Sequence, residues 1–236
     1  GFFIMLWLML SCVLGYQQDG ELTTLSIEQT RSAHYFYYDK ALQSSVRILS
    51  IDKDGDQVGH ASGNYFKIGH HKFIISAAHI LEEGIENVVL DYRNETKLHL
   101  VVLDTENDIA IFVPEKSLKS IRAVDYRTSK ELDLTGDTVV HAGYPADLDK
   151  SVFHGSVASC GVSNFMMQSF ALPGSSGSVV FDNKGSVVGV LSAIKMGMHG
   201  YSPFPQLHAG LVYVNRLRQY DRYKLEELIV KWKNLK

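Results

Sequence analysis

Cysteine is scarce in this sequence. Cys12 and Cys160 are the only two in 236 residues, too few for a disulfide framework. A bridge between them would have to reach into an apolar N-terminal run, and nothing in the sequence supports one. Charge of one sign is also lacking: 23 Lys and Arg stand against 26 Asp and Glu, a net charge of −3. That leaves no basic footprint for a nucleic acid. No apolar run reaches the length of an ordinary membrane-spanning helix. No internal repeat or low-complexity segment stands out. Metal-ligand patterns fail as well. Asp52-Lys53-Asp54-Gly55-Asp56 begins like a calcium loop, but no Glu closes it at the required place. His70 and His71 are adjacent, and on a strand they would face opposite ways, so a surface turn is the better reading. No metal or cofactor is expected.

What remains is ordinary globular material: 45% hydrophobic, 21% charged and 11% aromatic residues. Such a composition excludes disordered, collagen-like and coiled-coil chains. The length fits one large all-β domain or two small units sharing a core.

The most apolar segment is Phe2 to Leu14. As a helix it would cover about 20 Å, against the roughly 30 Å of a bilayer core. Three roles fit it: an export signal or membrane anchor, a segment packed on a partner in an assembly, or a helix packed within the chain. Its length and the small Gly15 suit a signal peptide, whereas no Lys or Arg precedes it. Residues 1–16 are therefore read as an apolar leader or anchor. The chain is expected to be exported or membrane-associated, the alternative being a component of a viral or other assembly. Residues 17–44 form a polar extension whose cluster Tyr35-Phe36-Tyr37-Tyr38 reads as packing.

From residue 45 short apolar runs alternate with turn signals, the pattern of an all-β barrel or sandwich. A first group of strands is expected at 46–51, 65–68, 72–76, 88–92, 98–103 and 109–113. Residues 115–134 are polar and read as a linker. A second group follows at 138–142, 152–158, 166–170, 179–181, 187–193 and 211–214. Two groups of six predict two small barrels, about 45–114 and 135–214. Beyond them, Leu217, Leu225, Leu228, Ile229, Trp232 and Leu235 fall near one face at helical spacing, predicting a C-terminal helix within 215–236. It is expected to dock on the second barrel. The nearby Lys231, Lys233 and Lys236 also suit a membrane-surface or partner helix.

Three motifs carry chemistry. Ile75-Ser76-Ala77-Ala78-His79 runs a strand into small residues and then a histidine, letting the ring approach a cleft floor. Asn107-Asp108-Ile109-Ala110-Ile111 opens an apolar strand with a carboxylate. Pro173-Gly174-Ser175-Ser176-Gly177-Ser178 is a tight turn that presents a hydroxyl and aims backbone N–H groups at one spot, as a tetrahedral oxyanion requires. Each motif alone is weak, whereas the order His, Asp, Ser is specific.

At these residues the sequence resembles the trypsin/chymotrypsin superfamily of serine proteases, matching its "TAAH", "DIAL" and "GxSGG" motifs. It is most similar to the HtrA/Deg branch. Gly59-His60-Ala61-Ser62-Gly63 looks like that branch's "GxGSG" turn. Gly143-Tyr144-Pro145 with Gly155-Ser156-Val157, and the run Gly185 to Ile194, look like two further signatures. The resemblance covers about residues 45–214 and implies a chymotrypsin-like double β-barrel with a cleft between the barrels. It implies a triad of His79, Asp108 and Ser176, with an oxyanion hole from the N–H groups of Gly174 and Ser176. Ser192, Ala193 and Ile194 would pair with the substrate backbone. Phe170, Ala171 and Leu172, with the strand Ser192 to Lys195, would line the specificity pocket. No Asp stands where trypsins select Arg or Lys, so an apolar residue is expected before the cut. Ser175 replaces the Asp that captures a new N-terminus in trypsins, so that activation switch is not expected. Residues 215–236 are too few for the PDZ domain of the HtrA branch.

Two functions follow. One is a serine endopeptidase acting on polypeptides. The other is a protease-fold structural or binding protein in a larger assembly, inactive or autoinhibited. Partner contact through Phe2 to Leu14 fits either, and the sequence does not fix an oligomeric state.

Overall fold

The computed structural model describes residues 37–197 and 206–235. The apolar leader, Cys12 and most of the polar extension lie outside these. Among the described residues, 37–44 are helical (α1), a stretch that showed no helical periodicity. Tyr37 and Ala41, one turn apart, are its buried face.

The first barrel is built from β1 (Ser45–Ile51), β2 (Gln57–Ile68), β3 (His71–Ser76), β4 (Glu86–Asp91), β5 (Asn94–Asp104) and β6 (Ile109–Pro114). Their order is β1-β4-β5-β6-β3-β2, and pairing of β1 with β2 closes the sheet. A two-residue strand β7 (Val124–Asp125) adds to β2 in parallel, inside the segment expected to be a plain linker. Strand β2 starts well before the expected residue 65. Its first half takes in the Gly59–Gly63 segment, which pairs with β1 instead of turning.

The second barrel contains β8 (Thr138–Gly143), β9 (Ser151–Cys160), β10 (Asn164–Gln168), β11 (Val179–Asp182), β12 (Val187–Gly197) and β13 (Gln206–Arg216), closed in the order β10-β13-β12-β11-β8-β9. The fold is therefore a chymotrypsin-like pair of six-stranded barrels. Val46, Ile48, Ile74, Val89 and Phe112 fill the first, and Val139, Phe165, Met167, Val188 and Val214 fill the second.

A third apolar cluster joins the barrels. It includes Phe66, Phe73, Ile75 and Ile109 from the first and Val140, Val179, Phe181 and Val190 from the second. The Phe66, Phe73, Tyr126 and Phe181 rings meet there with centroids 5.3–6.0 Å apart, a spacing that adds about 1 kcal/mol per pair beyond area burial.

Helix α2 (Arg222–Asn234) ends the described chain. Asp221 caps it by accepting from the Lys224 N–H. Leu225 and Ile229 enter the shared cluster, whereas Leu235 stays exposed. The helix rests on the first barrel, not the second as expected. Trp232 lies 6.1 Å from the His99 ring of β5, and Lys233 Nζ reaches His71 Nδ1 of β3 at 3.1 Å. Helical spacing reveals which face is apolar but not which barrel it meets. No helix among the described residues is long and apolar enough to cross a membrane.

Candidate functional site

The residues of the three motifs meet at the rim of the inter-barrel cluster. Strand β3 ends at Ser76, and a single 3-10 turn over Ala78–Ile80 carries His79. Asp108 immediately precedes β6, whose Ala110 pairs with Ser76. That pairing brings the two motifs side by side. Asp108 then grips the histidine twice: Oδ1 accepts the His79 backbone N–H at 2.8 Å, and Oδ2 meets ring Nδ1 at 2.8 Å. One carboxylate thus fixes both the turn and the ring. Asp108 does so from a left-handed backbone (φ 52°), which Asp tolerates better than most residues.

The electrostatics follow from these contacts. The hydrogen bond His79 donates to Asp108 raises the His79 pKa, burial lowers it and the carboxylate charge adds to the rise; the net shift is upward. Burial pushes the Asp108 carboxyl up, but hydrogen bonds from His79 and Ser192 outweigh it, and the net shift is downward. The pair is poised as an imidazole that accepts a proton readily beside a carboxylate that stays ionised.

Ser192 Oγ also donates to Asp108 Oδ2. The β12–β13 register slips between Leu191 and Ala193, so Ser192 sits at an irregularity that turns its side chain toward Asp108. The sequence placed Ser192 among substrate-binding residues, and nothing in its neighbourhood signalled this contact. Ala193 and Ile194 continue β12, opposite Tyr213 and Val212. Phe170 is exposed, and Ala171 and Leu172 are half-buried at the approach to the Ser176 turn.

The turn from Pro173 to Ser178 is held from several sides. Ser175 N–H donates to the Leu172 carbonyl and Gly177 N–H to Leu191. Ser175 is buried, and its hydroxyl accepts from Leu172 N–H. Two carbonyls decide where the remaining N–H groups point. The Pro173 carbonyl accepts from Ala146 N–H at 2.6 Å, and the Ser175 carbonyl from Ser178 N–H at 3.1 Å. The peptides are trans, so the N–H that follows each carbonyl points the opposite way. Those are the N–H groups of Gly174 and Ser176. Among the described residues neither donates to another backbone group. Two unused donors, separated by Ser175, can receive an anionic oxygen.

Ser62 of β2 clamps this turn and was not singled out as a site residue. Its hydroxyl donates to the Gly174 carbonyl at 2.7 Å and accepts from Tyr144 N–H at 2.9 Å. Its own N–H donates to the Ser176 carbonyl, and its carbonyl accepts from Ser76 Oγ. Packing leaves no room for side chains here. A Cβ on Gly177 (φ 87°) would lie 2.1 Å from Ser76 Oγ and 2.2 Å from the Ser62 carbonyl. The Ser176 turn is thus packed on the strand end that leads to His79. No hydrogen bond joins Ser176 Oγ to His79 among the described residues. In unliganded enzymes such contacts commonly tighten only when substrate binds.

His70 and His71 take no part. Their rings lie tilted with centroids 3.9 Å apart where β2 leads into β3. No group of three metal-ligating side chains occurs among the described residues.

Comparison with known proteins agrees with this fold. The profile of the trypsin-like peptidase domain matches residues 61–190. A probable periplasmic DegP-like serine endoprotease of Bartonella henselae is 32% identical over 166 residues, which are 66% of this chain and 31% of that protein. A protein of the same description from Pseudomonas putida is 29% identical over 151 residues, 60% of this chain and 31% of that one. The chain thus spans about a third of the length of these relatives. Among solved structures, the serine endoprotease of Yersinia pestis superposes with a TM-score of 0.63 at 16% identity, covering 82% of this chain and 65% of that one. The Rv3671c protease of M. tuberculosis in its active form gives 0.60 at 18% identity, covering 78% and 80%. On the extent of that profile match, the chain belongs to the trypsin-like peptidase domain family.

Proposed function

We propose that this chain is a serine endopeptidase that cuts polypeptides through an acyl-enzyme. Ser176 Oγ attacks the scissile carbonyl while His79 takes its proton. The carbonyl oxygen becomes an oxyanion and receives the N–H groups of Gly174 and Ser176. On collapse the C–N bond breaks, and His79 returns the proton to the leaving amine. Water then attacks the ester while His79 takes its proton; the acyl C–O bond breaks and His79 returns the proton to Ser176 Oγ. Asp108 holds the ring with its Nδ1 proton inward and stabilises the imidazolium. Ser192 acts through Asp108 as a positioning residue, fixing the carboxylate oxygen that faces the ring.

The observation that carries this reading is the double grip of Asp108 on His79 beside a turn with two undirected N–H groups. A purely structural protein has no need of either. The substrate backbone would pair with Ser192 to Ile194 on β12, with an apolar side chain before the cut lodged against Phe170 to Leu172. The relatives' names describe periplasmic proteins. With the apolar Phe2 to Leu14, they support export as the route of this chain.

The test is digestion of unfolded casein by the full chain, with products identified by mass spectrometry. Wild type should yield a defined peptide set with apolar residues before the cuts. Ser176→Ala and His79→Ala should each lose at least about 10³-fold in rate. Cleavage that survives Ser176→Ala would overturn the mechanism, and a strong preference for Arg or Lys would overturn the pocket.

A further inference from the structure

Tyr144 links the Ser176 turn to a cleft that the proposed chemistry leaves unused. Its carbonyl lies 2.6 Å from where a Cβ on Gly174 would stand, and its N–H donates to Ser62. Two residues on, Ala146 holds the Pro173 carbonyl from a left-handed backbone (φ 47°). On the other face of this loop opens a cleft of about 410 Å³. Its walls include Arg47, Tyr92, Tyr144, Leu148, Asp149 and Lys150.

The cleft has an unusual charge arrangement. Lys150 is half-buried, and its ammonium stands 5.8 Å from the centroid of the Tyr144 ring. Among the described residues no carboxylate lies within ion-pair distance of it. Burial lowers its pKa, with no charged neighbour offsetting the effect. A partly desolvated cation without a counter-ion is costly, and proteins normally pair such groups. Arg47 and Asp149 also line the cleft. Leu148 and Tyr92 present exposed apolar surface at its walls.

The position of the cleft suggests its occupant. On the proposed reading, the acyl half of a substrate lies along β12, on the Ser192 side of Ser176. The leaving half must then pass Gly174 on the other side, where Tyr144 forms the wall. An extended chain advances about 3.3 Å per residue, so the second and third residues after the cut stand about 7–10 Å beyond it. Tyr144 bridges the two places, its carbonyl 2.6 Å from where a Cβ on Gly174 would stand and its ring 5.8 Å from the Lys150 ammonium.

We propose that this cleft is a leaving-side subsite in which Lys150 pairs with an acidic side chain two or three residues after the scissile bond, with Tyr144 and Leu148 packing on its methylenes. The proposal rests on the endopeptidase reading and adds a substrate class to it: polypeptides with Asp or Glu just after the cut.

The test uses quenched-fluorescent peptides that share one acyl half with leucine before the cut. They carry Asp, Asn or Lys at the second or third position after the cut. The quantity read is kcat/KM for the Asp peptide divided by that for the Asn peptide on the same enzyme, which cancels general damage. Wild type should give a ratio of about 5–10, falling as salt rises. The ratio should drop to about 1 in Lys150→Met, and Lys150→Glu should favour the Lys peptide. A wild-type ratio near 1, or one that survives Lys150→Met, overturns the subsite. Amidated and free C-termini on the Asn peptide separate a side-chain preference from capture of a terminal carboxylate; capture of the terminus alone also overturns it. The same comparison, read as anisotropy of peptides bound to Ser176→Ala, needs no catalysis. Absence of cleavage by wild type would therefore refute the endopeptidase reading, while peptide binding still decides the subsite.

Discussion

Replacing Gly174 with alanine attacks the oxyanion site at its narrowest point. Gly174 holds φ at 92°, which side chains rarely adopt. Such strain costs about 1–3 kcal/mol. The new methyl would also stand 2.2 Å from His60 Nε2 and 2.6 Å from the Tyr144 carbonyl oxygen. The imidazole can swing away, but the carbonyl is backbone and cannot. The turn must therefore move, and with it the Gly174 N–H. Losing one oxyanion donor typically costs about 10²–10³ in rate. We expect Gly174→Ala to lose that much in kcat/KM on a fixed peptide. Its melting temperature should fall by roughly 2–4 °C for each kcal/mol of strain. Gly136→Ala is the control. Gly136 has nearly the same backbone (φ 85°) with nothing within 4 Å of its would-be methyl. It should lose stability but keep its rate. If Gly174→Ala keeps its rate within about 3-fold, or Gly136→Ala loses as much, the assignment of the hole to this turn is wrong.

Further predictions concern protonation and packing. The raised His79 pKa places the acidic limb of the kcat/KM profile above the ordinary histidine value near 6.5. Asp108→Asn removes both upward influences and leaves burial, so the limb should move to lower pH while the rate falls about 10⁴-fold; an unmoved limb would contradict the pairing. His141 is fully buried and its pKa is pushed down to about 4 by burial. The unfolded chain binds that proton near pH 6.5 and the folded one refuses it until about 4, so stability should fall by about 3 kcal/mol as pH drops through that window. In denaturant titrations at pH 7 and 4.5, His141→Gln should flatten this slope; an unchanged slope would refute the assignment. Arg216 is buried and donates to the carbonyls of Glu131, Leu132 and Gly161. Arg216→Met strands these acceptors and should cost about 3 kcal/mol or more, read as a melting temperature about 6–12 °C lower; a change under about 2 °C would show the carbonyls find water.

Much of the fold was legible because barrels print their alternation on the sequence. Runs such as Ile109–Pro114 and Val187–Gly197 carry enough β-branched and apolar residues to mark strands directly. The motifs around His79, Asp108 and Ser176 were legible because small residues and glycines must surround such a site. Gly177 shows why: no side chain fits between Ser76 and Ser62. What escaped depends on contacts between distant segments. Ser62 gave no sign that its hydroxyl would clamp Gly174, 112 residues away. Ser192 meets Asp108 only because β12 is irregular there. The Tyr37-Tyr38 pair in α1 reads equally well as strand or packing. The glycines of Gly59–Gly63 suggested a turn, yet the segment extends β2 alongside β1.

The central claim is that Ser176 is an activated nucleophile. Labelling of the full folded chain with a fluorophosphonate probe tests it most directly, comparing wild type with Ser176→Ala. The account predicts stoichiometric label on wild type, at a rate that rises with pH through the His79 limb, and none on Ser176→Ala. Folded wild type that takes no label, or label that persists in Ser176→Ala, would contradict it.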